Sequence, residues 1–352
     1  MNSRERVLCA LKKGIPDAVP YMYNCMDKDI QERIIQKRIE VETVDGINSW
    51  GYTGQIGKPT EVNPVLTVYP EVADFLNLDA VGIQILPPLF VNAEIRGGRS
   101  EIRDGLLTTR EALNKIKLPD PDDDNLYRNI KNIIDQIRSG REVAVYARIR
   151  LGASPTLLSM GMEGFSYALF DEPELVYDVL NTYCTWSSRV TRNLCELDFD
   201  FFWCFDDIAF KTSPMFSLKT LEEFFIPNMK IAASAISKPW VFHSDGNLLP
   251  MLPKLMELGM DGIHPLEPGA MDLDFLKANY GKDLCLIGNI DIDYTLSRGT
   301  EEEVYNEVKE RIRQLGPGGA FIISDSNSVP SYCKAENIIA MARAVEKYKY
   351  IY

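Results

Sequence analysis

Short apolar runs alternate with amphipathic stretches from one end of the chain to the other. Eight of the runs have strand length: Val19–Asn24, Asp79–Ile85, Glu142–Ile149, Phe199–Phe205, Pro239–Ser244, Gly262–Leu266, Leu284–Asn289 and Ala320–Ser324. Between them, apolar residues recur at helical spacing. Leu126, Ile130, Ile133, Ile134 and Ile137 form one stripe, and Val176, Val179, Leu180 and Tyr183 another. Val304, Val308, Ile312 and Leu315 form a third, and Ile338, Ile339, Ala342 and Val345 the last. Each stripe reads as the core-facing side of a helix. Strands alternating with helices indicate an α/β fold with a parallel sheet, and eight is the count that closes a (β/α)8 TIM barrel. The expectation is one such domain over residues 1–352.

The second half is tightly spaced, whereas the first half carries extra loops. Residues 40–78 and 90–125 are too long for simple connections and hold Gly51, Gly54, Gly57, Gly97 and Gly98. The segment Asn92–Thr108 reads as a hairpin excursion. Asp122 to Asp124 read as the start of a helix, where carboxylates are favoured.

Composition narrows the function. The formal net charge is −13, which argues against a nucleic-acid backbone or a polybasic membrane contact. No apolar run approaches the roughly 18 residues that span a bilayer. The N-terminus lacks a signal-like apolar core, so a cytoplasmic location is expected. The seven cysteines are odd in number and form no C-x-x-C pair, which points to reduced thiols.

In barrels the chemistry sits at the C-terminal ends of the strands. Read in order, those ends carry Asn24, then Arg148 and Arg150, then Asp206-Asp207, His243-Ser244-Asp245-Gly246, Glu267, Asn289-Ile290-Asp291, and Ser324-Asp325-Ser326-Asn327. Polar residues are expected in any loop, but the chain has two histidines and His243 is one of them. Asp207 and His243 would bring a carboxylate and an imidazole to one end of the sheet. A further carboxylate, Glu222 or Glu223, lies on the segment between them. Two oxygens and one nitrogen with an open position is a common zinc set. His264, among apolar neighbours, reads as a packed core residue. Glu267 reads equally as an acid orienting His243, a substrate contact, or a helix N-terminal carboxylate. Trp203, Phe205 and Phe242 would line an aromatic pocket or, more plainly, pack the core.

Several stretches carry a resemblance. They are Ser3 to Leu11 followed by Pro16-Asp17-Ala18-Val19-Pro20, His243 to Asn247, Gly259 to Glu267, Leu286 to Asp291, and Gly318 to Ser324. Along nearly its full length the chain resembles the uroporphyrinogen decarboxylase superfamily, whose fold is a (β/α)8 barrel. The decarboxylases of that superfamily bind acidic tetrapyrroles through arginines near the N-terminus. The corresponding Tyr21-Met22-Tyr23-Asn24-Cys25-Met26-Asp27 has none, which argues against porphyrin decarboxylation. The branch that methylates coenzyme M carries H-x-C, whereas Ser244-Asp245 follows His243 here. The methyltransferases of bacterial O-demethylases are described by E-x14-E-x20-H, and Asp207, Glu222 and His243 stand at those spacings with Asp in the first slot.

The resemblance therefore implies Asp207, Glu222 and His243 as zinc ligands. It implies transfer of a methyl group from a methoxylated, aromatic compound to the cobalt of a corrinoid (cobalamin) protein, a separate partner docking at the barrel mouth. Asp245, Glu267 and Asp325 are unranked candidates for protonating the phenolic product. Asn24, Arg148, Trp203, Phe242 and Asn289 are the candidate substrate contacts. The alternatives are methyl transfer from a methylcorrinoid to tetrahydrofolate, a metal-free lyase using Arg148 and Arg150, or a non-catalytic barrel that binds a corrinoid or a tetrapyrrole. A homodimer is left open.

Overall fold

The computed structural model describes residues 1–39, 53–58, 60–96 and 99–351. Its strands are β1 Val65–Leu66, β2 Ala80–Gln84, β3 Val91–Arg96, β4 Arg99–Gly105, β5 Ala144–Ile149, β6 Phe201–Phe205, β7 Trp240–His243, β8 Gly262–His264, β9 Cys285–Ile290 and β10 Phe321–Asp325. β1-β2-β5-β6-β7-β8-β9-β10 form one curled sheet, in which every pairing is parallel except that of β1 with β2. The parallel strands are buried along their whole length. That burial explains why they read as continuous apolar runs rather than as alternating ones.

Seven of the eight expected strands are present. The remaining run, Val19–Asn24, bonds to β10 on one side and to Asp79, just before β2, on the other. Ile323 N–H donates to Pro20 O (2.9 Å), Met22 N–H donates to Ile323 O (3.2 Å), and Asp79 N–H donates to Tyr21 O (2.8 Å). Pro20 has no N–H to extend this ladder. The contact is therefore a bridge at Tyr21 rather than a full strand.

Side chains alternate between two clusters, as the strand period requires. Phe201, Trp203 and Phe205 point inward with Tyr146, Val241, Ile287 and Ile322, over Val7, Ala10 and Leu11 of the helix Ser3–Leu11. Phe202, Cys204 and Phe242 point outward among the helices. Asn2 starts that first helix with a capping box, accepting from Glu5 N–H while Glu5 accepts from Asn2 N–H.

The four predicted stripes fall in the helices Asp124–Arg138, Pro173–Cys195, Glu301–Leu315 and Ala335–Tyr348. Asp123 caps the first of them through Asn125 N–H. The predicted excursion is the hairpin of β3 and β4. Gly51, Gly97 and Gly98 lie outside the described residues. All seven cysteines are free thiols. No helix among the described residues is long and apolar enough to cross a membrane.

Candidate metal centre

β6 ends at Phe205, and Asp206 and Asp207 follow it. The two carboxylates have different work. Asp206 is fully buried and accepts from Leu151 N–H and Ser154 N–H, each at 2.6 Å. Burial pushes it up to about 6 against those bonds. It fastens the start of the helix Ala153–Met160 to the end of β6. Ser154 Oγ in turn accepts from Asp207 N–H (2.7 Å), which leaves the Asp207 carboxylate at the mouth.

β7 pairs in parallel register with β6 and β8, so that Phe205, His243 and His264 stand side by side. Because Phe242 faces the helices, His243 faces the interior of the curl. The chain then turns sharply at Gly246, whose φ is +88°. A Cβ there would stand 2.5 Å from Phe210 O, so the turn requires glycine. Gly246 N–H donates to Glu267 (2.8 Å) and Asp245 N–H donates to Asp207 Oδ1 (3.1 Å). The turn brings Asp245 back over His243.

The result is one nitrogen and two oxygens that face one another. His243 Nε2 lies 3.7 Å from Asp207 Oδ1 and 3.7 Å from Asp245 Oδ1. The three groups can offer ligand atoms all within 4.8 Å of one another. Asp245 Oδ1 is buried with no hydrogen-bond partner among the described residues, while Asn327 Nδ2 donates to the other oxygen. Burial, reinforced by Asp207 and Glu267, holds the Asp245 carboxyl well above the usual carboxylate range. Burial also lowers His243 to about 4, with Arg148 and Arg150 adding to the effect against Asp207, so its imidazole is neutral at pH 7. An acceptor set of this type, with one lone buried oxygen, fits a divalent cation such as zinc.

The structure distributes the other predicted residues unevenly. Glu222 sits in the π-helical turn Leu221–Phe225, whose buried Leu221 and Phe225 take the inner side. Its side chain is half-exposed, 3.5 Å from Lys254 Nζ, and is not in the group formed by Asp207, His243 and Asp245. Arg148 Nε donates to Asn24 Oδ1 (2.8 Å), Arg148 also donates to Gln84, and its guanidinium stacks 3.6 Å from the Phe205 centroid. Asn289 donates to Leu266 O and Phe242 packs among the helices, so neither is brought to the group. Trp203 lies in the inner cluster, its ring 4.7 Å from that of His264. Glu267 holds the Gly246 turn and faces Lys211 at 3.8 Å. Asp325 is buried, accepts from Ser324 Oγ, and is pushed by burial up to about 7. His264 is buried as expected, but it is also bonded to His243.

A cavity of about 700 Å³ opens beside Asp207. Arg150, Ser154, Leu157, Met160, Tyr167 and Met215 line it, with Ile102 to Gly105 of the hairpin closing one side. The Arg150 guanidinium stacks 4.5 Å from the Phe205 ring and is buried.

Residues 92–348 match the family described as uroporphyrinogen decarboxylase (URO-D). The chain belongs to the uroporphyrinogen decarboxylase family. A stretch of 136 residues is 27% identical to the methylated-thiol–coenzyme M methyltransferase of Methanosarcina mazei, covering 39% of this chain and 35% of that relative. The chain thus matches about a third of that relative's length. A solved methyltransferase from Methanosarcina mazei superposes over 99% of both chains with a TM-score of 0.69 at 17% identity, which establishes a common fold. The family match begins at residue 92, so for residues before it the likeness rests on the fold. Among the described residues, the group that could hold a metal ion gathers carboxylates and an imidazole with no thiolate.

Proposed function

We propose that this chain is a metal-dependent methyltransferase. In this reading a single (β/α)8 barrel over residues 1–352 takes the methyl group of a methoxylated, aromatic compound and passes it to the cobalt of a corrinoid protein. The observation that carries the reading is the convergence of the buried His243 Nε2 with oxygens of the part-exposed Asp207 and Asp245. Such a set of acceptors is favourable when a cation lies among them. The likeness to two Methanosarcina mazei methyltransferases supports methyl transfer as the reaction.

Asp207 and His243 would hold zinc, and the geometry favours Asp245 as the third ligand over Glu222, which the spacing favours. Zinc, when bound, supplies a Lewis acid for the ether oxygen that becomes the leaving group. The chain's own residues do the rest. Leu157, Met160, Tyr167 and Met215 would hold the apolar body of the donor beside Asp207. Arg150, on the same wall, would orient an electronegative substituent. Of the acids available to the departing phenolate, Asp245 is drawn into the ligand set, which leaves Glu267 and Asp325, each engaged by a hydrogen bond. Asp325 keeps its proton to about pH 7.

The test is metal analysis of the purified protein and of Asp207→Ala, His243→Ala, Asp245→Ala and Glu222→Ala, followed by demethylation of methoxylated aromatics with reduced corrinoid protein. About one zinc per chain, lost in the first three variants, is expected. Full metal content in all of them would end this reading. Two buried arginines near the mouth favour a second reading, a metal-free lyase acting on an acidic substrate. Turnover unaffected by a strong chelator would select it. Transfer in the other sense, from methylcorrinoid to tetrahydrofolate, uses the same site and would show as consumption of methylcorrinoid.

A further inference from the structure

Both histidines of the chain stand in one pair. Their rings stack with centroids 4.8 Å apart and planes 25° apart, and the two Nδ1 atoms are 2.6 Å from each other. His264 Nε2 lies 3.2 Å from the backbone oxygen of Asp325. A carbonyl oxygen can only accept, so the proton of His264 is on Nε2. In a neutral ring Nδ1 then carries a lone pair, and the 2.6 Å contact requires the proton of His243 to be on its Nδ1. That leaves His243 Nε2 as a lone pair aimed at Asp207 and Asp245. The opposite assignment fails on distance. An N–H at His243 Nε2 would face oxygens 3.7 Å away, too far to accept it, in a side chain that is almost fully buried.

We propose that His264 is a positioning residue that locks His243 in its Nδ1–H form and thereby presents the Nε2 lone pair to the metal centre, with the Asp325 carbonyl as the end of the relay. The proposal rests on the metal-centre reading for its purpose, although not for its geometry. A ligating histidine usually donates its second nitrogen to a carboxylate, a carbonyl or water. Here a second imidazole takes that place. Trp203 meets the His264 ring edge-on at 4.7 Å, and register with β7 fixes its Cα, so the ring has little freedom to turn away.

The experiment is nitrogen-15 NMR of the full chain labelled at histidine, with metal removed by chelation. Two rings give a spectrum that the His264→Asn variant assigns. We expect His243 protonated at Nδ1 and bare at Nε2, and His264 protonated at Nε2. In His264→Phe, which keeps a ring but offers no acceptor, His243 should shift toward its Nε2–H form and zinc affinity should fall about 10- to 100-fold. In His264→Asn, whose Oδ1 can accept, both should recover. Finding Nε2 of His243 protonated in the unaltered protein would overturn the proposal. So would His264→Phe with both its tautomer and its zinc affinity unchanged. The expected tautomers in a protein that binds no zinc would keep the relay and sink the metal reading instead.

Discussion

The two ends of the sheet treat their carboxylates in opposite ways. At the N-terminal end, each carboxylate is answered. Asp79 accepts from Arg6 Nη1 and from Tyr21 N–H, both at 2.8 Å. Asp200 accepts from Arg4, from Arg138 Nη2 (2.9 Å) and from Val145 N–H (2.8 Å). At the C-terminal end, Asp207 and Asp245 turn oxygens toward His243 Nε2 and toward each other. Neither forms an ion pair with a lysine or arginine among the described residues. The same residue types are therefore ion-paired at one end and stand without a lysine or arginine partner among the described residues at the other, although Arg148 and Arg150 are near enough to act on His243. In folds of this kind the first end is the one expected to serve stability and the second chemistry.

The sharpest way to break this contrast is to exchange the consequences. If the proposed metal-dependent demethylation holds, Asp207→Ala should lower zinc content to background and reduce that activity by more than about 100-fold, given that even residues behind the ligands are worth 10- to 100-fold. Its unfolding midpoint in urea should hardly move. Asp200→Ala should do the reverse. Arg138 keeps Asp198 at 2.7 Å, but the buried Val145 N–H loses its acceptor, and the expected loss is about 1–3 kcal/mol in urea unfolding with metal content unchanged. Equal loss of stability in the two variants would dissolve the distinction between the ends.

A finer test uses pH. Asp325 titrates at about 7 in the folded chain because it is buried, against about 3.9 in an unfolded one. The folded state holds the extra proton between those values. The stability it contributes is complete below about pH 4, declines as pH rises, and is gone above about 7. Metal-free protein should thus lose stability from about pH 4 to about pH 7, with a slope of at most about 1.4 kcal/mol per pH unit from this group. Asp325→Asn should flatten that interval. An unchanged slope would mean that the carboxyl is already ionised in its pocket.

How far the chain could be read in advance follows the same division. The strands were legible because burial on both faces makes them continuous apolar runs, and the helices because their stripes recur. Val19–Asn24 was legible as a run but not as a bridge, since its hydrogen bonding depends on Pro20 and on where β2 and β10 meet. In the site, Asp207 and His243 were legible as polar residues closing strands. Asp245 stood two residues past His243, on the same side of the chain, which is a signal for a shared ligand set. The imidazole pair was not legible. It depends on the register that sets His243 opposite His264, and loop lengths do not reveal register.

Glu222 gives the smallest expected effect and the most instructive one. Its spacing from Asp207 and His243 makes it a ligand by resemblance. The fold gives the inner side of its turn to Leu221 and Phe225, four residues apart, and leaves Glu222 beside Lys254. A half-exposed pair of that kind contributes little. Glu222→Ala should keep its zinc and unfold as the unaltered protein does, while Asp245→Ala loses the metal. If instead Glu222→Ala loses zinc and Asp245→Ala keeps it, the segment after Ser217 must turn inward when the ion arrives. The π-helical turn would then be the element that rearranges, since its hydrogen bonding already departs from the α-helix that follows it. The mouth would then lack, in the same state, both its cation and one of the ligands for it. The contrast between the two ends would become one between a finished end and an end completed by what it binds.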